Sequence, residues 1–229
     1  AIRHGEQVGF LSIEMSKPQV RTRLYSILTG TDVRKLERGE ENYSPQVRDR
    51  VKRKVARFRE GSCGGFVVNE QPVYQVSKAV DLMRELFGYG CSFFVTDYLQ
   101  LLGAQNADSL FRQVSEVSAR IREFAAIHKV VSVAVSQFNR QTSADYDTAP
   151  RVQGLMASSS IENDSDQVLM LDHTRYKRDK ETRTAQTWAI LGKNRHGRSG
   201  PIPVEWDFST LTIREAKPHE EDAWPGVPG

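Results

Sequence analysis

The sequence predicts an α/β protein with a mainly parallel sheet flanked by helices and an antiparallel hairpin near the carboxyl terminus. In the first part of the chain, short apolar runs alternate with stretches whose apolar residues recur at helical spacing, the pattern of βαβ units. After residue 163, apolar runs bounded by turn residues follow one another, as in antiparallel strands. At 229 residues, one domain with a sizeable core is expected, covering residues 1–216.

The chain opens on a strand, a turn and a helix. Residues 8–13 are largely apolar and end at Glu14, which predicts a buried strand. Ser16 offers a helix N-cap, apolar residues recur at helical spacing over residues 20–28, and Gly30 provides a C-cap. The first βα unit therefore turns at Glu14.

Further strands and helices alternate along the first part of the chain. We expect loops or short turns over residues 31–45, helices over 47–58, 76–87 and 114–125, and strands over 66–68, 93–97 and 130–135. The last of these strands is expected to be buried. The 47–58 helix has a basic face, which could contact nucleic acid, although a solvated surface is the more frequent explanation of such a face.

The second part of the chain differs. Residues 138–163 are rich in Ser, Thr, Asp and Asn, which predicts a long polar loop, and long loops in compact domains are usually functional or mobile. Strands are expected over residues 168–171, 187–191, 203–206 and 210–213, the last two forming a hairpin. The proline-rich residues 217–229 are expected to be a disordered tail.

Composition excludes few functional classes. The net charge of +3 is compatible with a polyanionic partner without requiring one. Cys63 and Cys91 form neither a disulfide framework nor a metal-binding spacing, so both are expected to be reduced thiols. No apolar run reaches the roughly 18 residues of a membrane span, and the first residues do not resemble a signal peptide.

Polar side chains end three of the predicted strands. Glu14, Asp97 and Gln137 each follow an apolar run. The carboxyl ends of parallel strands meet at one edge of a sheet, which is where ligands bind in such folds. One carboxylate could hold a divalent metal, the other could polarise a water, and the amide could contact a phosphate. Acidic residues at strand ends also serve simply as caps of the next helix, and that alternative applies to Glu14 and Asp97.

Five segments, in order, resemble the motifs of the RecA-like ATPase domain of DnaB-type replicative helicases, the superfamily 4 helicases. They are Phe-Leu-Ser-Ile-Glu-Met-Ser (10–16), Phe-Val-Thr-Asp-Tyr-Leu-Gln-Leu-Leu (94–102), Val-Ala-Val-Ser-Gln-Phe-Asn-Arg (133–140), Ser-Ile-Glu-Asn-Asp-Ser-Asp-Gln-Val (160–168) and Gly-Lys-Asn-Arg-His-Gly-Arg-Ser-Gly (192–200). The resemblance extends from residue 8 to about residue 207 and implies a RecA-like P-loop NTPase core.

The resemblance also implies roles for individual residues. Glu14 would activate the attacking water, Asp97 would be the Walker B carboxylate that holds Mg²⁺, and Gln137 would contact the γ-phosphate of ATP. Lys193 and Arg195 would reach into the site of a neighbouring subunit, Arg195 as an arginine finger, because a cation stabilises charge that develops on the transferred phosphoryl group. Without the resemblance, residues 192–200 are more typical of a basic turn that faces solvent.

The same resemblance implies that residues 138–163 form a loop that binds single-stranded DNA. Small polar and basic side chains suit contact with a phosphate backbone. The candidates are Arg140, Arg151, Ser158, Ser159 and Ser160. Members of the family often carry Arg-Glu where this chain has Met156-Ala157, and Gly where it has Ser159, which suggests a divergent phage or plasmid branch.

No segment matches the Walker A pattern Gly-x-x-x-x-Gly-Lys-[Ser/Thr] that precedes the first motif in the family. Either the chain is a fragment of a longer protein or the protein truly lacks this loop. We favour the fragment, because the motif residues that would act on a nucleotide held by the loop are retained, and we expect the chain itself to bind ATP poorly. The resemblance implies an ATP-dependent, Mg²⁺-requiring helicase that forms a homo-hexamer on single-stranded DNA in the bacterial or phage-infected cytoplasm, with primase and a helicase loader as partners. The alternatives are a catalytically silent module that binds DNA or a partner, and a RecA-type ATPase in recombination or helicase loading.

Overall fold

A computed structural model describes residues 1, 4–39, 45–46, 48–49, 52–53, 56, 64–69, 73–104, 107–138, 158–171, 177–179, 181 and 183–216. The chain divides into two compact units, Ala1–Gln137 and Phe138–Gly229. The single domain expected over residues 1–216 stays a prediction. Cys63, part of the 47–58 helix and the 217–229 tail lie outside the described residues.

The first unit contains a four-stranded parallel sheet. Its strands are β1 (Val8–Ser12), β2 (Phe66–Val68), β3 (Phe93–Asp97) and β4 (Val131–Ala134). They lie in the order β2-β1-β3-β4, and each neighbouring pair is parallel. The predicted α/β class and parallel sheet are confirmed.

Four named helices accompany this sheet: α1 (Lys17–Thr29), α2 (Val33–Glu37), α3 (Val76–Gly88) and α4 (Leu110–His128). The caps of α1 are those predicted: the Gln19 side chain accepts a hydrogen bond of 2.9 Å from the Ser16 backbone N–H, and Gly30 adopts the left-handed conformation with φ 66°. The short helix α2 replaces part of the loop expected over residues 31–45. Its start is stabilised by Asp32, whose carboxylate accepts a hydrogen bond from the Arg34 N–H.

The core of the first unit lies between β3 and the helices. Phe94 is fully buried and packs edge-to-face on Phe124, with ring centroids 5.2 Å apart. A Cβ atom at Gly9 would lie 3.0 Å from the Phe94 ring, so glycine lets β1 approach that ring closely. Cys91 is also buried and unpaired, as expected of a reduced thiol, and burial raises its pKa.

The prediction that the strand after α4 is buried was wrong. Val131 and Val133 of β4 are 54% and 43% exposed. The physical reason is position: β4 is the edge strand of the described sheet and pairs there only with β3. A sequence of valines cannot distinguish a central strand from an edge strand.

The second unit contains an antiparallel sheet and a short helix. Its elements are α5 (Ser158–Asp164), β5 (Gln167–Leu171), β6 (Lys177–Asp179), β7 (Thr184–Asn194), β8 (Gly200–Asp207) and β9 (Thr212–Glu215). The strands lie in the order β5-β7-β8-β9, with β6 also paired to β7. The predicted carboxyl-terminal hairpin is confirmed as β8–β9, whereas β6 was not predicted and β7 is longer than expected.

The polar loop expected over residues 138–163 does not extend that far, since residues 158–163 belong to helix α5. The apolar side chain of Ile161 packs against a buried cluster of Val168, Met170 and Ile190, which holds the helix on the sheet. The serine-rich composition around Ile161 does not indicate that this residue anchors a helix. In the part of the chain that the structure describes, no helix is both long and apolar enough to cross a membrane.

Candidate functional site

The candidate site is built on the carboxyl edge of the parallel sheet. Ser12 pairs with Asp97 in register, and the Ile13 N–H donates a 2.9 Å hydrogen bond to the Asp97 carbonyl. Glu14 therefore leaves β1 beside the residue that ends β3. Gln137 follows β4, the next strand of the sheet. The three polar residues occupy one edge, as the alternation of strands and helices predicts.

A network of hydrogen bonds shapes the bend that carries Glu14. The Asn69 side chain accepts from the Ser12 N–H at 2.7 Å and donates to the Ser12 carbonyl at 2.9 Å. The Ser12 hydroxyl donates to the Met15 carbonyl at 2.6 Å, which closes the turn. Ser12 is buried while Glu14 is exposed. The backbone before the carboxylate is thus held in place, and the carboxylate itself meets solvent.

The two carboxylates influence each other electrostatically. Burial of Asp97 raises its pKa, the nearby charge of Glu14 raises it further, and the charge of Arg23 lowers it. Arg23 lies on α1, and no local sequence pattern indicates a role for it.

Gln100 attaches Gln137 to the turn that follows β3. The Gln100 side chain accepts a hydrogen bond from the Gln137 N–H at 3.3 Å and donates to the Gln137 carbonyl at 3.2 Å and the Ser136 hydroxyl at 2.9 Å. Gln113 of α4 in turn donates to the Gln100 carbonyl at 3.2 Å. Because the Gln137 backbone is held by these bonds, its exposed side chain projects from a fixed point. In the sequence, Gln100 stands out only as a member of the 94–102 motif.

The basic candidates lie in the second unit. Lys193 lies near the end of β7 and donates its Nζ hydrogen to the Glu162 carbonyl. Arg195 begins the following turn, where its guanidinium forms a 2.7 Å ion pair with Asp166. Neither side chain is buried. The basic turn predicted over residues 192–200 is therefore partly strand: residues 192–194 end β7, residues 195–197 form the turn, and Gly200 begins β8.

The DNA-binding candidates are only partly described. Ser159 and Ser160 lie in the first turn of α5, together with the backbone of Ser158. They belong to a helix and not to the predicted loop. Arg140 and Arg151 lie outside the described residues.

Comparison with known proteins agrees with the motifs and the fold. Residues 1–215 match the DnaB-like helicase C-terminal domain. The chain belongs to the DnaB-like helicase family. A probable plasmid replicative DNA helicase of Chlamydia psittaci is 30% identical over 198 residues, which cover 86% of this chain and 42% of that protein. Replicative DNA helicase DnaB of Rickettsia bellii is 30% identical over 176 residues, which cover 75% of this chain and 34% of that protein.

Two solved structures share the fold. One is an ATPase domain, which superposes with a TM-score of 0.78 at 21% identity and covers 93% of this chain and 75% of that one. The other is a DnaB-like replicative helicase studied with primase. It gives the same TM-score and identity, and the match covers 93% of this chain and 51% of that one. These likenesses, with the family match, establish the RecA-like DnaB ATPase fold. This chain spans less than half the length of the curated DnaB-like relatives named above.

Asp97→Asn in this DnaB-like domain is expected to raise thermal stability at neutral pH. The folded state raises the Asp97 pKa, so it binds the proton more tightly than the unfolded chain does. Stability is therefore lost as pH rises from the ordinary pKa of Asp through the raised value, and Asn avoids that loss. Thermal unfolding measured from neutral pH down to about pH 4 checks this.

The gain in Tm should shrink as pH falls through that window. Asp81→Asn is the matched control, because Asp81 forms an exposed ion pair with Arg84 on α3, and such pairs contribute about 0–1 kcal/mol. A lower Tm for Asp97→Asn at neutral pH would contradict the expectation.

Proposed function

We propose that this chain is the ATPase motor of a replicative DNA helicase that moves along single-stranded DNA as a hexameric ring and unwinds the duplex. The observation that carries the proposal is the placement of Glu14 and Asp97 at the carboxyl edge of the sheet, where Ser12 pairs with Asp97 and the Ile13 N–H donates to the Asp97 carbonyl, in a member of the DnaB-like family. Paired carboxylates at this edge suit metal-assisted phosphoryl transfer.

The donor set at the edge fits Mg²⁺. Mg²⁺ is usually held by one or two carboxylates together with waters and substrate phosphates, so a full cage of protein ligands is not required. Among the described residues no cluster of three or more His, Cys, Asp or Glu side chains is arranged for a metal. The raised pKa of Asp97 means that its negative charge is poorly compensated, and a cation would relieve it. Asp97 would hold the ion, which when bound neutralises charge on the phosphates of ATP.

The remaining roles follow from where each side chain sits. The exposed carboxylate of Glu14 would accept a proton from the water that attacks the γ-phosphate. Gln137 would donate a hydrogen bond from its side-chain amide to that phosphate. Lys193 and Arg195 would supply positive charge to the site of a neighbouring subunit, where charge spreads over the phosphoryl oxygens during transfer.

DNA would be held by the polar segment that ends in α5. Ser159 and Ser160 present hydroxyls and backbone N–H groups in the first turn of that helix, groups that contact phosphates in many complexes. Arg140, Arg151 and Ser158 complete the set of candidates. Because phosphate contacts dominate, binding should be independent of base sequence and should weaken with salt.

The partners proposed for the full-length protein are other copies of itself, primase and a helicase loader. A solved DnaB-like replicative helicase studied with its primase interactions supports primase as one of these partners. We place the activity in the cytoplasm of a bacterium or a phage-infected cell, where replication takes place.

The test is ATP hydrolysis with and without single-stranded DNA, measured on this chain and on the full-length natural protein that contains it. We expect DNA-stimulated hydrolysis and ATP-dependent strand separation from the full-length protein, and little hydrolysis from this chain. The reason is that no segment of the chain matches a Walker A loop, whose N–H groups and lysine supply much of the affinity for phosphate.

The second candidate is a silent RecA-like module that binds single strands or a partner. Full-length protein that binds DNA but hydrolyses no ATP would establish that alternative. Hydrolysis without strand separation would instead point to a RecA-type ATPase in recombination or helicase loading.

A further inference from the structure

Lys193 and Arg195, the two basic residues proposed to act on a neighbouring subunit, both contact one corner of the second unit. This corner, residues 162–166, lies where α5 ends and β5 begins. The Lys193 ammonium donates to the Glu162 carbonyl, and the Arg195 guanidinium pairs with the Asp166 carboxylate at 2.7 Å. The Arg195 backbone N–H also donates to the Asp166 carbonyl at 2.9 Å. Main chain and side chain of Arg195 are therefore fixed to the same residue.

The corner is itself held by its neighbours. The Ser165 N–H donates to the Ile161 carbonyl at 3.0 Å, and Ile161 packs on the buried cluster beneath α5. On the other side, the Gln167 amide donates to the Asn194 side chain at 3.3 Å, and Asn194 donates to the Arg198 carbonyl at 3.1 Å. The turn that begins at Arg195 thus rests on a fixed frame.

The geometry of the ion pair leaves Arg195 able to bind a phosphate. In the described part of the chain, the guanidinium contacts Asp166 through Nη1, so its other N–H donors are directed elsewhere. The Arg195 and Asp166 side chains are 44% and 65% exposed. An exposed pair of this kind contributes little to stability, so its value lies in orientation and not in holding the fold together.

We propose that Asp166 is a positioning residue that orients Arg195 for the phosphate of a neighbouring subunit. The proposal rests on the function proposed above, because it needs Arg195 to act on ATP. A long arginine side chain without a partner samples many rotamers, and restricting it reduces the entropy lost when it meets the transition state. Asp166 would therefore increase kcat without touching the nucleotide.

The experiment is a double-mutant cycle in the full-length protein, with steady-state ATP hydrolysis in the presence of single-stranded DNA. Asp166→Ala is expected to lower kcat by about 10- to 100-fold with little change in KM. In an Arg195→Ala background the same substitution should cause no further loss, since its effect passes through the guanidinium. Asp166→Asn, which keeps an acceptor oxygen, should restore part of the activity.

Glu205→Gln is the matched control. It breaks the ion pair between Glu205 and Arg214 in the same sheet and should leave kcat unchanged. Equal losses from Asp166→Ala with and without Arg195, or an unchanged kcat in the single variant, would overturn the proposal. If Asp166→Ala lowers Tm, the double-mutant cycle is measured with Asp166→Asn instead. If the wild-type protein has no ATPase activity, the proposed function and this inference are both refuted. If the wild type is active, the Asp166 variants test the inference alone.

Discussion

Glu14→Gln in the full-length protein is expected to reduce ATP hydrolysis by about 10²–10⁴-fold, the usual contribution of a general base. Glutamine has nearly the same shape as glutamate but cannot take a proton from water at neutral pH. The bend that carries residue 14 is held by the Ser12–Asn69 hydrogen bonds, which do not involve the Glu14 side chain. Folding, nucleotide binding and DNA binding should therefore persist. Hydrolysis, fluorescent-nucleotide binding and DNA binding measured side by side check this.

The control for Glu14→Gln is Glu37→Gln, which neutralises an exposed carboxylate at the end of α2. It should hydrolyse ATP at the wild-type rate. If Glu14→Gln keeps most of its activity, Glu14 is the helix-capping carboxylate that its position before α1 also permits. If the Glu14→Gln variant loses nucleotide binding as well as hydrolysis, the Glu14 side chain contributes to binding of ATP in the ground state. A role confined to proton transfer is then excluded.

Those parts of the fold that depend on local pattern could be predicted. The strands of the first unit are short apolar runs, and each ends where a polar residue begins, so the placement of Glu14, Asp97 and Gln137 at one edge followed from parallel topology alone. The caps of α1 could be predicted for the same reason, because Ser16 and Gly30 each act on the helix turn next to them.

What could not be predicted depends on contacts between distant residues. The exposure of Val131 and Val133 is set by the absence of a further strand beside β4 in the described sheet, and the residues themselves are typical of a buried strand. Helix α5 forms because Ile161 meets residues 168, 170 and 190, which no local propensity of its serines indicates. The same holds for Gln100, Arg23 and Asp166, whose partners lie far along the chain.

Arg195→Ala is expected to have the largest effect, a loss of about 10³–10⁵-fold in kcat, as is typical when an arginine finger is removed. The planar guanidinium can bind two oxygens of the transferred group, which alanine and even lysine cannot reproduce. Arg195 is exposed, so its removal should leave the fold intact. Arg198→Ala removes another exposed cation of the same turn and is the matched control, expected to keep wild-type kcat.

A mixing experiment separates an arginine that acts between subunits from one that acts within its own. Rings assembled from equal amounts of Glu14→Gln and Arg195→Ala subunits contain sites in which an Arg195→Ala subunit supplies Glu14 and its Glu14→Gln neighbour supplies Arg195. Random head-to-tail assembly places about a quarter of all sites in this arrangement, so activity should reappear although each variant alone is inactive. If the mixed rings stay inactive while remaining hexameric, Arg195 serves its own subunit or none. The basic turn would then be the solvated turn that its composition alone suggests.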